Sequence, residues 1–489
     1  MNQLHGPLAQ LVCVTILSLA GCGGGSSPSS PPAPPPSSMT YTVGGNVSGL
    51  GPTDSVTLLN NGGDALTVSS DGGFTFSTHQ DVGNAYAVTV QSHTPGIACS
   101  IGNGSGSQAS SNVTSVTVSC AAGTFTILYS FGSSATDGRG PGGLMMDNAG
   151  NFYGTTNSGG TSGVGTVFKL GTDGTETILH SFAGQPTDGT NPQEGSLIMD
   201  SAGNLYGTTS LGGANDDGTV FKLGADGSET ILYSFSSSMT DGAYPRAGLI
   251  MDSAGNLYGT TSGGNGTVFK ISTDGTKSNL YLFAGGQSDG RVPVGGLIMD
   301  SVGNLYGTTS AGGSVQDNGT VFQITPGGTE NILHAFEFVA FMGSATDGGV
   351  PFAGLIRDSA GNLYGTTSSG GKDIEGTVFK LSPDGTESIL YYFSGGPTDG
   401  AQPQAGLIMD NTGNLYGTTL VGGPNGGSNG EGSVFKIRPD GTEIILHFFA
   451  GGTNDGNETG AGLIMDRAGN LYGTAGGGAN GGGVVFKID

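Results

Sequence analysis

Residues 247–283 read AGLIMDSAGNLYGTTSGGNGTVFKISTDGTKSNLYLF. Four strand-length apolar pieces lie in this stretch: GLIMD, NLYGTT, GTVFKI and NLYLF. Turn chemistry separates them, with Asp252 leading into Gly255-Asn256, a Gly-rich loop at 262–266, and Asp274-Gly275. The Leu-Tyr-Gly-Thr-Thr word begins at Phe152, Leu205, Leu257, Leu305, Leu363, Leu415 and Leu471, on average about 53 residues apart. Four short antiparallel strands repeated at that period predict a β-propeller, since a parallel β-helix uses a much shorter repeat. The ends of the array fix the number. Its last unit stops at its third strand, Val484 to Asp489, and its first is preceded by an unmatched fourth strand, Phe125 to Phe131. Seven blades result if these two pair, which also removes an exposed sheet edge.

Residues 124–489, about three quarters of the chain, resemble the GloVer choice-of-anchor tandem-repeat family through the recurring GTVFKL and NLYGTT motifs. That resemblance implies a bacterial exported protein, a repeat array and an interchangeable membrane anchor, with no established enzymatic activity. The GLIMDSAGNLYGTT phrase is also similar to NHL and gluconolactonase-like propellers.

Upstream of the array, residues 39–121 alternate with period two in Val56/Leu58, Leu66/Val68, Phe74/Phe76, Tyr86/Val88/Val90 and Val116/Val118/Cys120. The turns are Asn60-Asn61-Gly62-Gly63, Asp71-Gly72-Gly73 and Gly102-Asn103-Gly104. A small β-sandwich is expected, resembling immunoglobulin-like or transthyretin-like exported modules. His79 and His93 fall in loop-like surroundings and are expected in solvent. Cys99 and Cys120 remain as an even pair in an exported chain and predict one disulfide.

Residues 1–21 carry one apolar run, Leu8 to Ala20, too short for a spanning helix and suited to a signal peptide. Leu19-Ala20-Gly21-Cys22 resembles a lipobox, which makes Cys22 the acylated residue. No Lys or Arg precedes the run, a departure from the lipoprotein pattern. Residues 22–38 add a linker of Gly, Ser, Pro and Ala that would hold folded domains clear of a membrane. By resemblance to lipoprotein sorting, Gly23 directs the protein to the outer membrane or cell surface.

The 489 residues include 98 Gly and no Trp, so a core forms only where apolar residues recur in register. With 14 basic against 38 acidic residues the formal charge is −24, which excludes an electrostatic grip on nucleic acid or an anionic bilayer. The absence of Trp also removes WD-type and tryptophan-docked propellers.

The tight turns at Asp147, Asp200, Asp252, Asp300, Asp358, Asp410 and Asp466 belong to one face and read as structural. The opposite, top face carries the variable loops. There the candidate ligand contacts are Phe338 and Phe341, in an apolar insertion, and the acids Asp347, Asp373, Glu375 and Glu431. Connector acids Asp137, Asp188, Asp241, Asp289, Asp347, Asp399 and Asp455 read as turn caps. Seven such carboxylates in a ring could draw a cation such as Ca²⁺ to the channel mouth, although turn capping is the favoured reading. Asp216, Asp217, Asp317, Asp373, Glu375 and Glu431 lack the spacing of a tight Ca²⁺ loop.

His180, His334 and His447 occupy a slot filled elsewhere by Tyr129, Tyr233, Tyr281 and Tyr391. They read as outer-strand fillers on separate blades, so no metal site and no other cofactor is expected. Lys169 and its equivalents are expected to pair across a hairpin with Glu such as Glu176 or Glu387. The expected function is a monomeric, lipid-anchored binding or scaffold protein whose top face contacts a glycan or protein. A propeller glycan hydrolase or lyase would need two singular carboxylates in the channel, for which Glu194 and Glu458 are the candidates. A purely structural envelope protein is the third reading.

Overall fold

The computed structural model describes residues 39–106, 111–192, 195–238, 240–337, 347–424 and 431–489. Among the described residues every regular element is a strand. The chain is all-β.

Before the repeats, two four-stranded sheets enclose one core. One runs Gly72–Thr75, Val43–Ser48, Val113–Ala122, Ile97–Gly102, and the other Asp64–Val68, Val56–Asn60, Tyr86–His93, Ser105–Gly106. Alternation does its work here: Val56 and Leu58 point inward and are fully buried beside Val43, Val47, Val116 and Val118. Asn61 and Gly62 both take positive φ, 52° and 71°, in the three-residue turn between the paired Asn60 and Asp64. One pairing was not foreseen: Val43–Ser48 lies parallel to Val113–Ala122. Cys99 and Cys120 face each other on adjacent strands and are joined by a disulfide.

The repeats form five four-stranded and two five-stranded antiparallel sheets among the described residues. In the third, Ile250–Met251, Leu257–Thr261, Thr267–Ile271 and Lys277–Leu282 lie side by side in that order. The first strand of each sheet is short, two residues in this example. Further two-stranded pairs tie a connector to the loop that follows, as Gly189–Thr190 with Leu211–Gly212.

Packing between sheets follows one rule. The Phe of each GTVFK strand is buried, and the Phe closing the preceding unit's outer strand meets it edge to face. Phe182–Phe221, Phe235–Phe269, Phe283–Phe322, Phe336–Phe379, Phe393–Phe435 and Phe449–Phe486 have centroids 5.1–5.5 Å apart. Phe131 and Phe168 supply the seventh pair at 4.9 Å. Each such pair adds about 0.5–1.5 kcal/mol beyond the burial of its rings. Successive sheets therefore share cores, and the last shares one with the first: Tyr472 and Val485 pack with Phe131, Leu144 and Phe168.

Closure is covalently distant and locally ordinary. Phe125–Ser130 pairs antiparallel with Val484–Ile488, so an early strand completes the last sheet. The Thr124 hydroxyl adds a 2.6 Å bond to the Asp489 carboxylate. The N-terminal pair of sheets also touches the ring. The His93 amide donates to Ala468 at 2.8 Å, and Lys436 forms a 2.9 Å ion pair with Asp54 whose lysine side chain is only 2% exposed. His93 thus sits at a contact rather than free in solvent, whereas His79 is exposed as expected.

The expected Lys–Glu hairpin pairs are not formed. Lys169 stands opposite Thr177 while Glu176 stands opposite Leu170. An offset of one residue sends the two side chains to opposite faces of the sheet. Lys169, Lys222, Lys270, Lys380 and Lys436 instead lie 5.5–5.9 Å over the rings of Tyr153, Tyr206, Tyr258, Tyr364 and Tyr416.

Candidate functional site

The two ends of each sheet differ in chemistry. On the turn side, Asp252 accepts from the amides of Ala254 and Asn256 at 2.9 Å, from the Asn256 side chain at 2.7 Å and from the Tyr258 hydroxyl at 2.9 Å. Gly255 follows at φ 85°, closing the turn where a side chain would be strained. Burial pushes the Asp252 carboxyl up, yet the hydrogen bonds from Asn256, Tyr258 and Ala254 win and hold it below its ordinary value. Asp147, Asp200, Asp300 and Asp358 are placed alike, and hydrogen bonds outweigh burial in the same way.

Of the expected ligand contacts, the described acids lie on the loop side. Asp373 is exposed, while Glu375 and Glu431 are half-buried, each beside the backbone of the connector that follows, at Gly395 and Gly451. Burial, then the nearby Asp373, pushes the Glu375 carboxyl up. Asp217, Asp216 and Asp317 are consumed locally: Asp217 accepts from the Ser237 amide, Asp216 from the Gly212 amide, and Asp317 pairs with Arg291. Glu458 is exposed and takes φ 47°. Phe338, Phe341, Glu194 and Cys22 lie outside the described residues. Exposed apolar side chains occur on this loop side, with Tyr244 and Phe352 on connectors and Val315 and Ile374 on loops between second and third strands, while Val302 is exposed on the turn side.

The channel mouth is built from the starts of the short first strands. A cavity of about 310 Å³ there is lined mainly by Gly, Ala and aliphatic residues, with Arg246 and Gln404 the polar side chains among them besides Ser196. Glycine is forced where strands converge: a Cβ on Gly195 would stand 2.3 Å from the Gly248 amide nitrogen. A larger groove, about 780 Å³, opens on the turn side between the first and seventh sheets, lined by Gln91, Asp147, Asp466, Arg467 and Lys487 among others.

A third arrangement was not legible from one unit alone. Each connector Asp does cap its turn, as expected; Asp188 accepts from the amides of Ala183 at 2.7 Å and Gly189 at 2.6 Å. It also meets the Tyr or His of its own outer strand and the first residue of the next unit's outer strand. Tyr281 donates at 3.2 Å to Asp289 and lies 3.1 Å from Glu330, and Tyr391 spans Asp399 and Glu443 at 3.2 and 2.9 Å. These are joints between neighbouring sheets.

Five joints hold a Glu. Burial first, and then the facing Asp carboxylate, pushes Glu176, Glu229, Glu330 and Glu387 up to about 7 and Glu443 to about 8. Protonation of the Glu removes the like-charge repulsion between the two carboxyls. Two joints depart from the rule. Lys277 replaces the Glu and forms a 2.8 Å ion pair with Asp241, and Phe125 replaces it in another and stacks on His447 at 3.9 Å.

The histidines therefore do more than fill an aromatic slot. They stay apart from one another, but His180 gathers with Asp188 and Glu229, and His334 with Asp347 and Glu387, each set within 4.8 Å. Comparing the histidines only with each other misses this, because their partners come from the next repeat.

Among solved structures, similarity is remote. An extracellular domain of a one-component system from B. thetaiotaomicron matches at 12% identity and TM-score 0.47 over 74% of this chain, which spans only 39% of that domain. A gluconolactonase from Xanthomonas campestris matches at 14% identity and TM-score 0.37, with 75% and 89% of the two chains covered. A protein of unknown function from Bacteroides thetaiotaomicron matches at 14% identity and TM-score 0.40, with 89% and 90% covered. No curated protein matches the sequence. The repeat itself is decisive, since the model for the Gloeobacter/Verrucomicrobia repeat matches residues 84–315, 172–358 and 296–489. With its four-stranded units, its buried Phe ladder and its joints repeated through that span, the chain belongs to the Gloeobacter/Verrucomicrobia repeat family.

Proposed function

We propose that this protein is a lipid-anchored binding or scaffold module of the cell envelope. In this reading residues 1–21 are a signal peptide, Cys22 carries the lipid, 22–38 form the tether, 39–121 a β-sandwich and 124–489 a seven-bladed β-propeller that works as a monomer. The loop side of the propeller contacts a glycan or protein partner. The observation that carries the reading is the exposure of Tyr244, Val315, Phe352 and Ile374 on that side, together with the exposed Asp373. Rings and aliphatic groups flanked by carboxylates suit a sugar face or a protein surface. The repeated carboxylates favour binding over hydrolysis, because the turns and joints occupy them away from the channel.

The test is a glycan array probed with residues 39–489, with and without Ca²⁺, alongside Phe352→Ala and Ile374→Ser. Binding that these substitutions weaken supports the loop side. Absence of any ligand would favour a purely structural envelope protein, and release of a cleaved sugar would favour a hydrolase. Labelling with palmitate, abolished by Cys22→Ser, tests the anchor.

A further inference from the structure

The joint between the fourth and fifth sheets differs from its Tyr-containing siblings in a way that points to a ligand. His334 Nε2 stands 3.6 Å from Asp347 Oδ1 and 3.6 Å from Glu387 Oε1. These separations are too long for hydrogen bonds, and all three atoms are buried without a hydrogen-bond partner. In the joints of Tyr281 and Tyr391 the phenol oxygen reaches both carboxyls directly, at 2.9–3.2 Å. The Glu330 and Glu443 Oε1 atoms are unpartnered there as well, so the unpartnered ring nitrogen is what sets the His334 joint apart. A shorter imidazole leaves a gap in the phenol's place. Ligand atoms bonded at about 2.0–2.1 Å to a tetrahedral ion stand about 3.4 Å from one another, close to the spacing seen here.

We propose that His334, Asp347 and Glu387 bind a divalent transition-metal ion of the zinc class. One imidazole nitrogen and two carboxylate oxygens are a borderline donor set that such an ion prefers to Mg²⁺ or Ca²⁺. Two carboxylates and a neutral histidine balance the ion's charge. The Glu337 amide donates at 2.7 Å to Asp347 Oδ2, which leaves Oδ1 presented to the site. Side-chain exposures of 15–20% leave a route for entry and room for a solvent ligand.

His180, Asp188 and Glu229 form a second, weaker site. There His180 is already hydrogen-bonded to Asp188 at 3.2 Å, and that bond must open before an ion enters. His447 is the internal control, because Phe125 stacks on it where the Glu carboxylate would stand.

The experiment is titration of the metal-free full-length chain with Zn²⁺ alone, read by calorimetry and by X-ray absorption of the bound ion. The expected result is a tightest site with nitrogen and oxygen ligands. His334→Tyr, which installs the side chain that four sibling joints already use, should lose that site, as should the near-isosteric Glu387→Gln. Each loss should exceed the about 10–100-fold that removing an outer-shell partner costs. His447→Tyr should leave it unchanged. Absence of saturable Zn²⁺ uptake overturns the proposal, and so does undiminished tight binding in both His334→Tyr and Glu387→Gln. Loss of the tight site in His447→Tyr alone overturns it as well.

Discussion

Five of the seven repeats carry two acidic positions that the fold treats in opposite ways, one in the turn between the first two strands and one at the joint with a neighbour. Asp252 in its turn receives four hydrogen bonds and keeps its charge below the ordinary carboxylate range. Glu443 at its joint faces another carboxyl in a buried setting and is pushed up to about 8. Burial raises both groups, so burial alone does not decide the outcome. What decides it is the supply of donors, plentiful where backbone amides converge and scarce where two side chains of like charge meet. The same array thus contains a set of carboxylates that stabilise it when ionised and a set that stabilise it when protonated.

The harshest way to break this comparison is to remove residues 124–131. The deletion takes Tyr129 and Phe125 from two joints and leaves every Asp turn intact. If joints and shared cores hold the ring, the variant loses its cooperative thermal transition, read by circular dichroism. An unchanged melt would leave the turns as the sole source of order.

Next in size is the response to pH. A carboxyl whose pKa is higher in the folded chain than in the unfolded one contributes stability that is full below its ordinary value of 4.5 and fades as pH rises through about 7 to 8. The melting temperature should therefore fall between pH 5 and pH 8.5, with the five Glu joints acting together. Glu443→Gln, neutral at every pH, should flatten the decline. Lys277→Glu should steepen it by making a sixth carboxyl joint. A melting temperature that rises across this window would sink the protonated-joint account. The Asp turns work in the other sense, losing their contribution as pH falls through their depressed pKa values.

The smallest expected effect is that of Asp252→Ala. It strips the partner from two amides, an amide side chain and a phenol in one of the seven units, and should cost about 1–3 kcal/mol at neutral pH by chemical denaturation. A cost that vanishes at pH 7 and appears only in acid would invert the assignment of the two sets.

The turns were legible in the sequence and the joints were not, for a reason of range. Asp252, Gly255, Asn256 and Tyr258 lie within seven residues, so a local pattern contains the whole hydrogen-bonded unit. Tyr391 and Glu443 are 52 residues apart, close to the length of one repeat. A reading confined to one unit cannot bring them together. The signal was present in the alignment of repeats with one another, where Lys277 and Phe125 break a column otherwise filled by Glu. The hairpin register misled for a related reason: neighbours in sequence, such as Glu176 and Thr177, belong to opposite faces. Whether Glu375 faces solvent or a connector depends on packing that no spacing records.

Pairing between Phe125–Ser130 and Val484–Ile488 has a consequence for biogenesis. Synthesis is vectorial, so the early strand emerges more than 350 residues before its partner. At about 5–20 residues per second it waits roughly 20–70 s with its hydrogen-bonding edge bare. A truncated product, however many sheets it completes, keeps that edge and is open to pairing with another chain. Synthesis of Val484–Ile488 is therefore the event that converts an adhesive nascent array into an inert one.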